Sequence, residues 1–271
     1  MTATAAPEPY VRALGRAAMG ALFFAFPLLM TMEMWELGFH MDRGRLALFL
    51  IVSVALILGL SHFSGLRETR HLRDVITDAF AAIAVGFAVS AILLGLFAVY
   101  EAGEPLDVLA GKTALQAMPA ALGAILARRQ FSSGGQAETQ AERQAGYAGE
   151  LFLMAGGALF IAFSVAPTEE MILIAHRMAA WQAAGLLLLS LGLLHMVVYR
   201  LGFAGQHSSE SAAQAFFHFT LPGYAIALAV SLYMLWTFGR TDGLSLVEVA
   251  RTMIVLGFPA AIGAALARLV V

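Results

Sequence analysis

A threonine followed two residues later by a glutamate occurs twice in this sequence, each time after a long apolar stretch. Thr31 and Glu33 in TMEM return 137 residues later as Thr168 and Glu170 in PTEEM. Each pair follows a long apolar stretch, which would place the carboxylates at membrane depth, where ionisable groups usually serve function. A carboxylate beside a hydroxyl can bind a cation or exchange a proton. The spacing therefore predicts paired ion-binding or gating groups that face the protein interior.

Two further acids stand beside these pairs without a counterpart in the other half. Glu36 follows Glu33, and Glu169 precedes Glu170 at the position where the first half has Met32. A simpler interpretation places all four acids at the outer membrane interface, where they would only mark a helix end. The segment MILIA, which follows Glu170, extends the apolar helix beyond the acids and argues against a simple helix end.

Lys112 and Arg251 are the candidate counter-ions of these acids. Counted along the predicted helices at 1.5 Å per residue, both cations lie at about the depth of the glutamates. Pairing of Glu33 with Lys112, and of Glu170 with Arg251, would lower the cost of burying each charge. Such pairs would form a structural clamp or a gate that a proton opens, and the sequence leaves this choice open.

A second titratable group is predicted towards the cytoplasmic ends of the helices. His62 in LGLSH matches His195 in LGLLH, and Asp78 matches His218 at a spacing of 140 residues. A histidine near a helix end is most often an interfacial residue. However, histidine changes charge near neutral pH, so these four residues would together form an inner titratable cluster. Outer carboxylates and inner imidazoles on one axis would suit proton-coupled or pH-gated ion movement.

Long apolar helices must position these residues. Of the 271 residues, 60% are hydrophobic and 13% are charged, against about half and about a quarter in soluble domains. A helix of about 20 apolar residues crosses a bilayer. We therefore predict an all-α polytopic membrane protein with eight transmembrane helices. The predicted spans are 17–37, 45–63, 79–100, 108–127, 150–172, 179–199, 213–237 and 250–270.

Three collinear matches indicate two copies of a four-helix unit. GALFFAFPLLMTMEM aligns with GALFIAFSVAPTEEM, LGLSH with LGLLH, and PAALGAILAR with PAAIGAALAR. This predicts a first repeat over 1–127, a cytoplasmic linker over 128–148 and a second repeat over 149–271. Because four spans are an even number, both repeats should enter the membrane in the same direction. They should then be related by a pseudo-two-fold axis along the membrane normal.

Small residues recur at four-residue spacing on the last helix of each repeat. Stripes of this kind allow helices to pack closely, and packing is the role we expect for them. The stripe residues are Gly123, Ala127, Gly263 and Ala267, next to Pro119 and Pro259.

The segments ALFFAFPLLMTMEMWELG and PAAIGAALAR resemble an uncharacterised family of bacterial integral membrane proteins. The resemblance covers nearly the whole chain. The family has no assigned function, so the resemblance implies membrane integration and supplies no catalytic residues.

Charge and motif content narrow the function further. The net charge of −2 gives no polyanion-binding signature, so nucleic acid is not an expected partner. The chain has no cysteine and lacks nucleophile, phosphate-loop and metal-ligand patterns, so we expect no enzyme activity, no cofactor and no bound metal. Ten Lys and Arg residues on the side of the termini, against six on the other side, predict cytoplasmic termini in the bacterial inner membrane.

We therefore expect an ion channel or secondary transporter for a cation or proton. Its expected partners are the lipid bilayer, the small ion and, as an option, a second copy of the chain. Two other functions stay open. One is a non-transporting sensor or partner subunit that docks another protein through the linker. The other, ranked last, is a membrane enzyme that acts on a lipid with the histidine cluster as general base.

Overall fold

The computed structural model describes residues 10–63, 72–130, 146–201 and 211–270. Within these ranges the chain forms ten helices and no strand, which confirms the all-helical class. The ninth helix contains one π-helical turn, at Phe216–Thr220. The helices are α1 (Tyr10–Leu29), α2 (Met32–His40), α3 (Arg43–Phe63), α4 (Leu72–Leu96), α5 (Leu106–Gln130), α6 (Gly146–Val165), α7 (Glu169–Arg177), α8 (Ala180–Leu201), α9 (Ala212–Thr237) and α10 (Leu246–Val270).

Seven of these helices are long and apolar enough to cross a membrane, namely α3, α4, α5, α6, α8, α9 and α10. In α1, which has 20 residues, the described apolar stretch is the shorter segment Leu14–Phe23. The described part of the chain is thus a multi-span helical protein, as predicted. The number of eight spans stays a prediction.

The predicted spans over 17–37 and 150–172 are each interrupted before their acids. α1 ends at Leu29 and α6 ends at Val165, and a separate helix of nine residues follows in both cases. At the second interruption, Pro167 lacks the N–H group that a continuous helix would use. The prediction that one helix continues through MILIA was therefore wrong, because these residues belong to α7.

The helices of the two halves pack in the same pattern. In the first half, α1, α2, α3 and α4 all pack against α5. In the second half, α6, α7, α8 and α9 all pack against α10. The helix lengths also correspond, since α2 and α7 have nine residues each and α5 and α10 have 25 each. This correspondence is consistent with the predicted repeat, which stays a prediction.

The closest described helix crossing joins α6 to α10 at two glycines. A Cβ atom on Gly157 would lie 2.6 Å from the Cβ of Ala267, and one on Gly263 would lie 2.6 Å from Cγ1 of Ile161. Neither position has room for a side chain, so the two backbones touch directly. The small-residue stripe of α10 therefore acts in packing.

The two halves meet where α3 contacts α6 and α9 and where α5 contacts α6. Phe49 packs edge-on against Phe163 with 5.0 Å between ring centroids. A side chain on Gly59 would overlap the ring of Phe152, so the ring lies directly over the α3 backbone. At one end of this interface, Arg45 of α3 forms an ion pair with Asp242, which follows α9.

The contact between the halves is one-sided. A half-turn axis would repeat the contact of α3 with α6 as a contact of α8 with α1. The side chains in the matching positions are exposed instead, including Met19 and Phe26 of α1 and Met196 of α8. The predicted pseudo-two-fold axis is therefore not confirmed.

Candidate functional site

The two helix interruptions are built alike around the predicted threonines. Thr31 Oγ1 donates a hydrogen bond to the carbonyl of Leu28 at 2.8 Å, and Thr168 Oγ1 donates to the carbonyl of Val165 at 2.8 Å. Neither hydroxyl caps the short helix that follows. Each carbonyl also accepts the backbone N–H of the same threonine, at 3.2 Å for Leu28 and 3.1 Å for Val165, so the threonine closes the end of the preceding helix with two hydrogen bonds.

The two interruptions differ in the side chain that reaches them from another helix or connection. At the first, Gln116 Nε2 lies 3.4 Å from the carbonyl of Leu28. The Gln116 side chain is fully buried, and its Oε1 atom has no hydrogen-bond partner among the described residues. At the second, the guanidinium of Arg240 donates to the carbonyl of Pro167. A positive charge therefore binds the second interruption, and a neutral amide contacts the first.

The four predicted acids lie on α2 and α7, three of them in the first helical turn. Glu33 is partly exposed, whereas Glu36, Glu169 and Glu170 are exposed. Within the described ranges, none of the four forms an ion pair. Carboxylates near a helix N-terminus are stabilised by the helix dipole, and this accounts for their position on the short helices.

Two methionines occupy buried positions on the short helices α2 and α7. Met34 and Met171 are 0% and 2% exposed. Glu33 and Glu170 each precede such a methionine by one residue, so they point about 100° away from it around the helix axis. The expectation that these glutamates face the protein interior stays a prediction.

Lys112 is buried and its partner is Glu104, in the connection before α5. The Lys112 Nζ atom forms an ion pair with Glu104 and also donates to the carbonyl of Val99 at 3.0 Å. Among the described residues the predicted partner Glu33 forms no ion pair with Lys112, and Gly38 is the α2 residue that packs on the lysine. A Cβ atom on Gly38 would lie 2.6 Å from the Cα of Lys112. The predicted pairing of Glu33 with Lys112 was wrong.

The hydrogen bond from Lys112 holds the pKa of the Glu104 carboxyl below its ordinary value of 4.5. Glu104 lies outside the membrane-spanning helices. Because the folded pKa is lowered, the carboxylate stays ionised at neutral pH. Its contribution to stability is lost only as the pH falls below 4.5 and through the folded value. A proton therefore does not open this ion pair near neutral pH.

Removing the charge of Glu104 is expected to destabilise the protein. In Glu104→Gln the buried ammonium of Lys112 loses its counter-ion, and we expect the Tm in detergent to fall by more than about 5 °C. The added substitution Lys112→Met should recover most of this loss, because no unpaired charge then stays buried. Glu101→Gln, at an exposed acid in the same connection, is the matched control. Equal Tm changes in Glu101→Gln and Glu104→Gln would show that the pair does not stabilise the fold.

A cavity of about 130 Å³ lies between α7 and α10, and Arg251 lines it. Its other polar lining residues are His176, Glu248 and Thr252. Glu248 interacts electrostatically with both His176 and Arg251. Arg251 forms no ion pair with Glu170 in the described structure, so the predicted pairing of these two residues was wrong.

Differences between matching residues explain this cavity. At the positions of Ala175 and Arg251 the first half has Gly38 and Gly111. A Cβ atom on Gly111 would lie 2.7 Å from the carbonyl oxygen of Gly38, so α2 and α5 touch through their backbones. The second half has larger residues at both positions, and both of them line the cavity.

The predicted inner residues of the second half have separate environments. His195 Nδ1 lies 2.9 Å from Thr220 Oγ1, and its ring packs edge-on against Phe216. His218 is exposed, and its Nδ1 lies 3.1 Å from the carbonyl of Gln214. The described residues contain no group of three or more His, Asp or Glu side chains that could hold a metal ion.

The predicted match of His62 with His195 does not fit the helix boundaries. α3 and α8 begin 137 residues apart, and at this spacing the buried Ser53 matches the buried Ser190. His195 then lies four residues before the position that matches His62, about one helical turn away. His62 is exposed on α3 and Asp78 is partly exposed on α4. The inner cluster stays a prediction.

Sequence reasoning missed three polar residues that hold this part of the structure together, namely Glu104, Gln116 and Arg240. None of them has a similar residue at the matching position of the other half. A search for repeated polar residues therefore could not find them. The signal that was present is a polar side chain without a counterpart, in or beside an apolar helix.

One protein-family model matches this chain over residues 13–271, and its description is "Putative integral membrane protein (DUF2391)". No curated protein and no solved structure matches the chain. The matched region includes both helix interruptions, the buried ion pair and the cavity.

Proposed function

The chain belongs to a family of integral membrane proteins without an assigned function, and from this premise we propose that it passes a cation or a proton across the bilayer. It would act as a channel or a secondary transporter, formed by two related halves. The proposal includes location in the bacterial inner membrane with cytoplasmic termini, on the basis of the Lys and Arg distribution.

The paired helix interruptions support this proposal more than any other feature. An apolar helix ends at Leu29 in the first half and at Val165 in the second, within one residue of matching positions. Non-helical backbone at membrane depth is tolerated only inside protein or beside a water-filled space. In secondary transporters, discontinuous helices at corresponding positions of two repeats commonly form the ion site, and helix-end carbonyls bind the cation.

The glutamates follow these interruptions directly and would attract the ion. Glu33 and Glu170 each lie two residues after the threonine of their interruption, and both are at least partly exposed. Exposed carboxylates at an entrance raise the local concentration of cations. We therefore assign Glu33 and Glu170 to ion entry or gating, and Thr31 and Thr168 to shaping the interruption.

Flux measurements on the reconstituted protein test this proposal. The purified chain is placed in liposomes that contain a pH-sensitive dye, and gradients of protons, Na⁺ or K⁺ are imposed. We expect at least one gradient to dissipate faster than in protein-free liposomes, with a rate that depends on pH. Rates equal to those of protein-free liposomes for every ion, with a protein that still shows cooperative thermal unfolding, would reject the proposal.

No described feature favours the sensor or the lipid-enzyme function over ion passage. The sensor would need a docking surface for another protein, and the lipid enzyme would need a nucleophile. We therefore propose a protein that moves an ion and is not an enzyme.

A further inference from the structure

The chain covers one face of its first half and leaves the matching face of its second half exposed. We propose that a second copy of the chain binds there, with α8 of one copy packed against α1 of the next. This inference does not depend on the transport function, since it compares only matching positions of the two halves.

The face of α3 that joins the halves is less covered in α8. At a spacing of 137 residues, Phe49 matches Leu186 and Gly59 matches Met196. Phe49 is 0% exposed against Phe163, whereas Leu186 is partly exposed. Met196 is 58% exposed, although the matching Gly59 lies under an aromatic ring. Within the membrane span, 39% of α3 but only 22% of α8 is buried.

The partner face on α6 is likewise open in α1. Phe163 is 0% exposed, and the matching Phe26 is 50% exposed. Gly156 packs near Leu60, since a Cβ atom there would lie 3.3 Å from Cδ2 of the leucine. The matching residue, Met19, is 63% exposed. One chain therefore carries both halves of a second, unused interface, one on α1 and the other on α8.

Exposure of apolar residues alone would not support this inference, because lipid tails cover apolar helix faces equally well. The comparison of the halves separates lipid-facing positions from the others. Ile51 of α3 and Leu188 of α8 match and are 66% and 67% exposed, so this face meets lipid in both halves. The faces that contain Leu186 and Phe26 differ, because protein covers their counterparts.

The contact between copies would join two different surfaces, so it would be heterologous. Heterologous contacts close into rings when the rotation between neighbours permits. The Arg45–Asp242 ion pair would not recur between copies, because the matching residues are Gln182 and Ala102. Apolar packing would therefore hold the copies together without this ion pair.

Cysteine cross-linking in membranes tests the proposal, and the chain has no native cysteine to interfere. A tagged Phe26→Cys chain and a differently tagged Leu186→Cys chain are produced together and oxidised. We expect a cross-linked species that carries both tags, because the counterparts Phe163 and Phe49 lie 5.0 Å apart between ring centroids. Each variant alone should cross-link far less, since a heterologous contact does not place a residue opposite itself.

The matched control replaces Leu186→Cys by Leu188→Cys, which lies on the lipid-facing side of the same helix. Cross-linking with Phe26→Cys should then fall by at least about tenfold, because residues two positions apart point to opposite sides of a helix. Equal cross-linking of both pairs would overturn the proposal. So would a monomeric mass of the unmodified chain in native lipid nanodiscs, which also covers the case in which the variants fail to fold.

Discussion

Replacing both Glu33 and Glu170 by glutamine is expected to abolish pH-dependent ion flux in liposomes. The substitution keeps the size of each side chain and removes its charge. The two carboxylates follow the two helix interruptions at matching positions, so each half loses the group that attracts a cation to its entrance. Single variants should keep part of the flux, because one half stays intact.

Glu101→Gln is the control for this experiment, because Glu101 is also an exposed acid and lies before the first turn of α5. It should leave the flux within about twofold of the unmodified protein. Unfolding curves must show that the double variant is as stable as the unmodified chain. Unchanged flux in the double variant would remove both glutamates from the mechanism without rejecting ion passage itself.

The sequence predicted membrane integration and the matching threonines, but it did not predict the helix interruptions. The sequence stays apolar across both interruptions, so a count of apolar residues predicts one continuous span. Besides the local threonine hydrogen bonds, each interruption has a contact from a distant part of the chain. Gln116 reaches Leu28 across 88 residues, and Arg240 reaches Pro167 across 73 residues.

The prediction that Lys112 pairs with Glu33 was wrong for a related reason. Rise per residue predicts the depth of a side chain in the membrane, but it does not predict the side of the helix from which it projects. α2 begins as a separate helix, and Gly38 is its residue that packs on Lys112. Glu104 pairs with the lysine in place of Glu33.

Parity of the spans predicts a common direction for the two halves, which stays a prediction, and it says nothing of the faces that join them. The direction follows from counting helices. The interface depends on the shapes of Phe49, Phe152 and Phe163, for which the matching positions in the other half carry Leu186, Gly15 and Phe26. Aromatic rings fill one of the two possible contacts, and it is there that the described parts of the two halves meet.

The second large effect is expected from Gly157→Leu, which should prevent accumulation of folded protein. The carbonyl and side-chain atoms of α10 occupy the space that the new side chain needs, including the Cβ of Ala267 at 2.6 Å from the added Cβ. The obstacle is partly backbone, so a change of rotamer cannot relieve it. We expect the free energy of unfolding to fall by about 3 kcal/mol or more.

Gly185→Leu supplies the contrast, because an added Cβ on this α8 glycine would meet nothing within 4 Å. Leucine favours the helix over glycine by up to about 1 kcal/mol, so this variant should be as stable as the unmodified chain or slightly more stable. Folded yield and denaturant unfolding in detergent measure both effects. If the two variants lose equal stability, then adding a leucine to a membrane helix is itself costly, and the crossing of α6 with α10 is not a close packing point.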